Sequence, residues 1–98
     1  MDLTTDTVMT HQRLDRWLVN ARFVKTRSLA VALIEAGAVR INRQPAEKPH
    51  ARLRPGDVLT IAPPGSPLAR VRVIEVRATA TQRGSASVAR LLYHELSE

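Results

Sequence analysis

Ten side chains between positions 13 and 43 have the types and spacing to grip a string of phosphates. They are Arg13, Arg16, Arg22, Lys25, Thr26, Arg27, Ser28, Arg40, Asn42 and Arg43. Guanidinium groups bind phosphate bidentately and stack on bases, which an ammonium cannot do. Hydroxyls and carboxamides add directional hydrogen bonds. Arg13, Arg16 and Asn20 fall at i, i+3 and i+7, so a helix carries them on one side. Arg22, Lys25 and Arg27 crowd a short link. A helix starting just after that link offers free N–H groups and a positive dipole end, a ready phosphate site that Thr26 and Ser28 can complete. Arg40, Asn42 and Arg43 extend the surface. Between positions 13 and 44 only Asp15 and Glu35 oppose seven cations. The partner this chemistry fits is a polyanion, with RNA the best candidate.

Catalysis is poorly served. His11, His50 and His94 are widely separated and show no metal-ligand spacing. There is no cysteine, which excludes disulfides and thiolate metal sites. No Gly-rich phosphate loop of the common types is present. We expect no catalytic residue, no metal and no cofactor. Asp15 suits the positive end of a helix dipole, and it can pair with a neighbouring arginine and orient it. Trp17 reads as core rather than as a base-stacking platform.

The elements that must position these groups follow from periodicity. Leu14, Trp17, Leu18 and Ala21 mark one face of a first helix, which Phe23 and Val24 close onto the core. Thr26 or Ser28 caps a second helix, whose buried side is Leu29, Ala30, Leu33 and Ile34. Gly37 is its left-handed stop. Val39 and Ile41 alternate with Arg40 and Asn42 as a strand. Residues 43–54 read as a long basic connection. Arg54-Pro55-Gly56-Asp57 has Pro and Gly in type II turn positions. Strands follow at 58–61 and 70–77, separated by the loop Pro63-Pro64-Gly65-Ser66-Pro67. After a polar loop at 82–87, Ser87 caps a short last helix with Val88, Leu91, Leu92 and Leu96 inward. The fold class is α+β: two N-terminal helices packed on a small, mainly antiparallel sheet, with a short C-terminal helix. The expected organisation is a flexible N-terminus at 1–11 and a single RNA-binding domain at 12–96.

Composition agrees. Ninety-eight residues, 44% of them hydrophobic, suffice for one core. The net charge is +6, divided as −2 over residues 1–10, +7 over 11–54 and +1 over 55–98. The excess therefore belongs to a face rather than to the whole molecule. Thirteen of the fifteen bases are arginine, as phosphate recognition favours. No apolar run is long enough to span a membrane. The segment MDLTTDTVMT is not a secretory signal, so the cytoplasm is the expected location.

Certain residues stand in a specific order: R-L-D at Arg13-Leu14-Asp15, Trp17-Leu18, Ala21-Arg22 and K-T-R-S from Lys25 to Ser28. They continue with Ile34, Gly37, Val39, Ile41-Asn42 and P-G-D from Pro55 to Asp57. In that order the chain resembles the RNA-binding domain family named after small-subunit ribosomal protein S-four, whose two helices and sheet form an alpha-L motif. With Gln82-Arg83, Ala86-Ser87 and Leu91-Leu92-Tyr93 it looks most like the family's ribosome-associated, heat-shock branch, and the match runs from about Arg13 to Glu95. The resemblance implies that the helical pair and the first strand grip structured RNA, ribosomal or transfer, chiefly by shape and phosphate. It further implies a monomer acting on large ribosomal subunits stalled with a nascent chain or tRNA. Two departures stand out. Arg43 replaces the usual Gly after the strand Asn, so either the turn changes type or Arg43 is strained. The sequence ends at Leu96-Ser97-Glu98, where that branch carries a basic extension.

Two rivals remain. A DNA-binding helix-turn-helix needs exposed base-reading side chains on its second helix, whereas SLAVALIEAGA is apolar or small. A detached accessory domain of an RNA-modifying enzyme would require a catalytic domain beyond these 98 residues.

Overall fold

Leu14, Trp17 and Leu18 recur at helical spacing and all three are fully buried, so the first helix, α1 (Leu14–Asn20), forms by docking that stripe onto the core. The computed structural model describes residues 11–62 and 71–96. The expected loop at 63–67, Arg70, residues 1–10 of the N-terminal arm and the last two residues lie outside the described residues. Arg13 stands at the cap position of α1 in an extended conformation, with no side-chain capping bond to the helix backbone. The first N–H groups of a helix need acceptors, and here the tertiary structure supplies them. Leu14 N–H donates to the Ala51 carbonyl at 2.8 Å and Asp15 N–H to the Pro49 carbonyl at 3.0 Å. The same approach pairs β1 (Gln12–Arg13) antiparallel with β4 (Arg52–Leu53).

Between the helices the chain turns at Arg22, which is left-handed at φ 66°. Thr26 is the cap of α2 (Arg27–Glu35): its hydroxyl accepts from Leu29 N–H at 3.2 Å, and Ser28 lies inside the helix. Gly37, at φ 78°, ends it as expected. Ala30 and Ile34 are buried and Leu33 half-buried, but Leu29 is 51% exposed. The apolar face of α2 is thus narrower than its sequence pattern implied.

The main sheet has the order β3-β2-β5-β6-β7, with β2 Val39–Ile41, β3 Gln44–Pro45, β5 Val58–Ile61, β6 Arg72–Val76 and β7 Tyr93–Glu95. Every pairing is antiparallel. The connection at 43–54 is not merely a loop, since β3 and β4 lie within it. At Arg54–Asp57, Asp57 N–H donates to the Arg54 carbonyl at 3.0 Å and Gly56 has φ 99°. Those are the marks of the expected type II turn.

The C-terminal reading needs correction. Ser85, not Ser87, caps the one-turn helix α3 (Ala86–Ala89), and a 3-10 turn follows at Arg90–Leu92. Ala89 and Leu92 are buried, while Val88, Leu91 and Leu96 are exposed. The helix is too short to impose its period. The chain passes at once into β7, which also places His94 on a strand.

Trp17 is core, as expected. Its ring stacks on Phe23 at 5.8 Å and meets Tyr93 edge-on at 6.5 Å, and its Nε1–H donates to the Ala78 carbonyl at 2.9 Å. Asn20, expected on the exposed side with Arg13 and Arg16, is instead buried. Its amide donates to the Ala80 carbonyl at 2.8 Å, and Gln12 brackets the same residue's backbone from both sides.

The hairpin between β2 and β3 resolves the Asn42-Arg43 question. Both residues have positive φ, 51° and 75°, so the turn keeps the geometry that Asn-Gly favours and Arg43 carries the strain. Arg43→Gly is expected to stabilise the protein by about 0.5–1 kcal/mol, read as a rise in the urea midpoint. An unchanged or lower midpoint would contradict the strain.

Candidate nucleic-acid interface

An ionised carboxylate survives burial only when charges and hydrogen bonds replace its water. Asp15 is fully buried, and four donors converge on it. Oδ1 accepts from Arg13 Nε at 3.1 Å and from the Arg16 backbone N–H at 2.8 Å. Oδ2 accepts from Arg13 Nη2 at 2.9 Å and from Arg27 Nε at 3.1 Å. Burial pushes the Asp15 carboxyl up, but the hydrogen bonds from Arg13 and Arg27, the Arg13 charge and the Arg16 N–H outweigh it. The net result is a pKa below the usual carboxylate value. The two arginine side chains keep 43% and 56% of their surface in solvent. Arg13 comes from β1 and Arg27 from the first position of α2, so one buried acid joins the two helices at the candidate surface. Arg16 and Arg27 line, with Val19 and Asn20, a shallow depression of about 350 Å³ beside this junction.

The other expected contacts are distributed as follows. Lys25, Thr26 and Ser28 are exposed around the start of α2. The Thr26 hydroxyl is engaged as the cap. Lys25 stands at the edge of an apolar depression formed with Phe23, Val24, Leu29, Ala32 and Leu33. Arg22 is exposed, but its Nη1 donates to the Gly84 carbonyl at 2.9 Å, tying the interhelical link to the late loop. Asn42 is committed to the fold: Nδ2 donates to Asp57 Oδ1 at 3.0 Å, and Oδ1 accepts from Val58 N–H at 2.9 Å. Arg40 and Arg43 are exposed on and beside the β2–β3 hairpin, where Arg43 shares a depression with Thr60 and Val73. Arg13, Arg16 and Arg27 thus gather at one junction. Among the described residues no hydrogen bond links Arg40, Asn42 or Arg43 to that junction.

Sequence reasoning anticipated that Asp15 would orient an arginine. It missed that Asp15 is buried and serves two arginines from different elements. The only signal was an acid placed two residues after one base in an otherwise cationic run.

The S4 domain family model matches residues 12–59, the stretch that builds this junction. A Bacillus subtilis protein named RQC P-site tRNA stabilizing factor is 34% identical over 83 residues, covering 85% of this chain and 94% of that protein. The chain belongs to the S4 domain family. It is also similar to the heat shock protein 15 homolog of Aeromonas salmonicida, at 44% identity over 86 residues and 88% of this chain. The chain spans 61% of that relative's length. The solved trimeric structure of Vibrio cholerae heat shock protein 15 superposes with a TM-score of 0.77 at 38% identity, over 89% of this chain and 83% of that one.

In this S4 domain the buried acid carries a pH signature. Its folded pKa is depressed, so the stability it contributes is complete above the unfolded value. That stability is lost as the pH falls below the ordinary carboxylate value of 3.8 and through the lower folded value. Thermal melts across that range should fall more steeply for the native sequence than for Asp15→Asn. Parallel curves would mean that the Asp15 charge contributes nothing to folding.

Proposed function

We propose that this chain binds structured RNA without catalysing a reaction, through the junction formed by Arg13, Arg16 and Arg27. The observation that carries the reading is the pair of half-exposed guanidinium groups held by one buried carboxylate where the start of α1 meets the start of α2. Lys25, Thr26 and Ser28 beside it, and Arg22, Arg40, Asn42 and Arg43 further out, complete the proposed surface. Arg27, Ser28 and the α2 dipole favour an anion at the same place. Beyond Arg27 and Ser28 at its start, α2 exposes Leu29, Ala32 and Glu35, a poor set for reading base edges in a major groove, which favours RNA over duplex DNA.

The finer reading is ribosomal. The chain binds ribosomal RNA or tRNA on large subunits that retain a nascent chain or tRNA, and takes part in their rescue or recycling. The similarity to proteins named for heat shock and for P-site tRNA stabilisation supports it. The same reading makes the chain a cytoplasmic protein that acts as a monomer.

Crosslinking in lysate followed by sequencing of the bound RNA tests the ribosomal assignment. Large-subunit RNA or tRNA should dominate, and recovery at the level of bulk RNA would contradict it. In competition at physiological salt, structured RNA should displace duplex DNA of equal length and charge. The logarithm of the RNA binding constant should fall against log salt with a slope of roughly −3 to −5, for about four to six phosphates. Equal affinity for both nucleic acids, or a nearly flat slope, would contradict the reading.

A further inference from the structure

We infer that Asp15, a buried acid in the middle of the basic face, strengthens RNA binding by fixing Arg13 and Arg27 as a single preset clamp for backbone phosphate. The inference rests on the RNA-binding reading above and gives that surface a positioning residue. Both guanidinium groups share one oxygen: Asp15 Oδ2 lies 2.9 Å from Arg13 Nη2 and 3.1 Å from Arg27 Nε. Two like charges that would splay apart are thereby held side by side. Oδ1, meanwhile, takes Arg13 Nε and is pinned to α1 by the Arg16 N–H. Each guanidinium has five N–H donors in a rigid fork. Asp15 uses two of Arg13's and one of Arg27's, and the remainder belong to side chains that are 43% and 56% exposed. The acid itself has no exposed surface. A phosphate therefore meets the outward forks and never the carboxylate. Ordering two flexible arginines before binding removes a cost that binding would otherwise meet.

The sign of one substitution separates this from general charge attraction. Asp15→Asn raises the net charge from +6 to +7, so a face acting by charge alone would bind RNA more tightly. The substituted carboxamide would keep Oδ1 for the Arg16 N–H and Arg13 Nε but turn an NH₂ group towards Arg13 Nη2 and Arg27 Nε, releasing Arg27 and breaking the pairing of the two guanidinium groups. The clamp predicts weaker binding, by roughly 5- to 50-fold. It also predicts a salt slope shallower by about one, because fewer phosphates are neutralised. Arg27→Lys supplies a second, folding-safe arm at an exposed position. It keeps the charge, but an ammonium drawn to Asp15 presents no outward fork, so binding should fall nearly as far as in Arg27→Ala. In the Arg27→Ala background, Asp15→Asn should have less effect than it has alone.

The experiment is an RNA titration of the full chain and these variants with a structured ribosomal RNA fragment at several salt concentrations. Circular dichroism establishes that each is folded at the assay temperature. Weakened binding by folded Asp15→Asn with a shallower slope, and by Arg27→Lys, supports the clamp. Equal or tighter binding by folded Asp15→Asn overturns it. Should Asp15→Asn not fold, Arg27→Lys decides alone, and binding equal to the native sequence overturns the inference. If the native sequence does not bind the RNA, the RNA-binding reading itself fails and the clamp falls with it.

Discussion

A carboxylate removed from water must be matched in both charge and hydrogen bonds, and Asp15 imposes that demand where α1, α2 and the β1–β4 pair meet. Losing one partner of a buried ion pair typically costs several kcal/mol, because the other charge is left uncompensated. The local structure is arranged to meet the demand. The backbone N–H of Asp15 reaches the Pro49 carbonyl, which brings the 46–53 segment against the start of α1. Arg13 reaches the carboxylate from the preceding strand, and Arg27 reaches it from the neighbouring helix. The angle between the helices, the docking of the long connection and the outward aim of two cations are therefore coupled through one side chain.

A second set of contacts holds this junction to the rest of the domain. Gln12, Trp17 and Asn20 all bond to carbonyls of the extended strip at 78–80. Phe23 lies between the Trp17 ring and the Arg72 guanidinium, which sits 4.8 Å from its centroid. Arg72 is in turn paired with Glu95 on β7, and the Glu95 hydrogen bond outweighs partial burial, so the guanidinium pKa is raised above its ordinary value. The segment that matches the S4 family, residues 12–59, thus leans on strands and a strip that lie beyond it. The helix beneath the proposed phosphate contact is held from the far side by part-buried hydrogen bonds and an aromatic stack.

Much of this was legible in the sequence, for identifiable reasons. The Leu14-Trp17-Leu18 stripe, the Gly37 stop and the Pro55-Gly56 turn are local signals with one good solution each, and the structure adopts all of them. Errors arose where tertiary contacts override local pattern. Asn20 looked like a surface residue beside Arg16, but it faces a strip sixty residues away. Leu91 and Leu96 looked helical and inward, yet the α-helix gives way after one turn to a 3-10 turn and then to β7, so no α-helical period reaches them. The ten candidate contact residues were chosen by type and spacing, which reveal chemistry but not commitment. Neither could show that Asn42 is occupied by Asp57 and Val58, or that Arg22 is engaged by Gly84.

The central claim is that the ordered pair of arginines over Asp15 is where RNA is held. Arginine Nε–H resonances in a nitrogen-15 spectrum report it directly, since Arg13 and Arg27 each donate that hydrogen to the carboxylate. Titration with a structured ribosomal RNA fragment should shift both resonances early and together, while Arg72, paired with Glu95 on the sheet, stays in place. Shifts confined to Arg43, Arg54 or other arginines away from the junction, with Arg13 and Arg27 unmoved at saturation, would contradict the account.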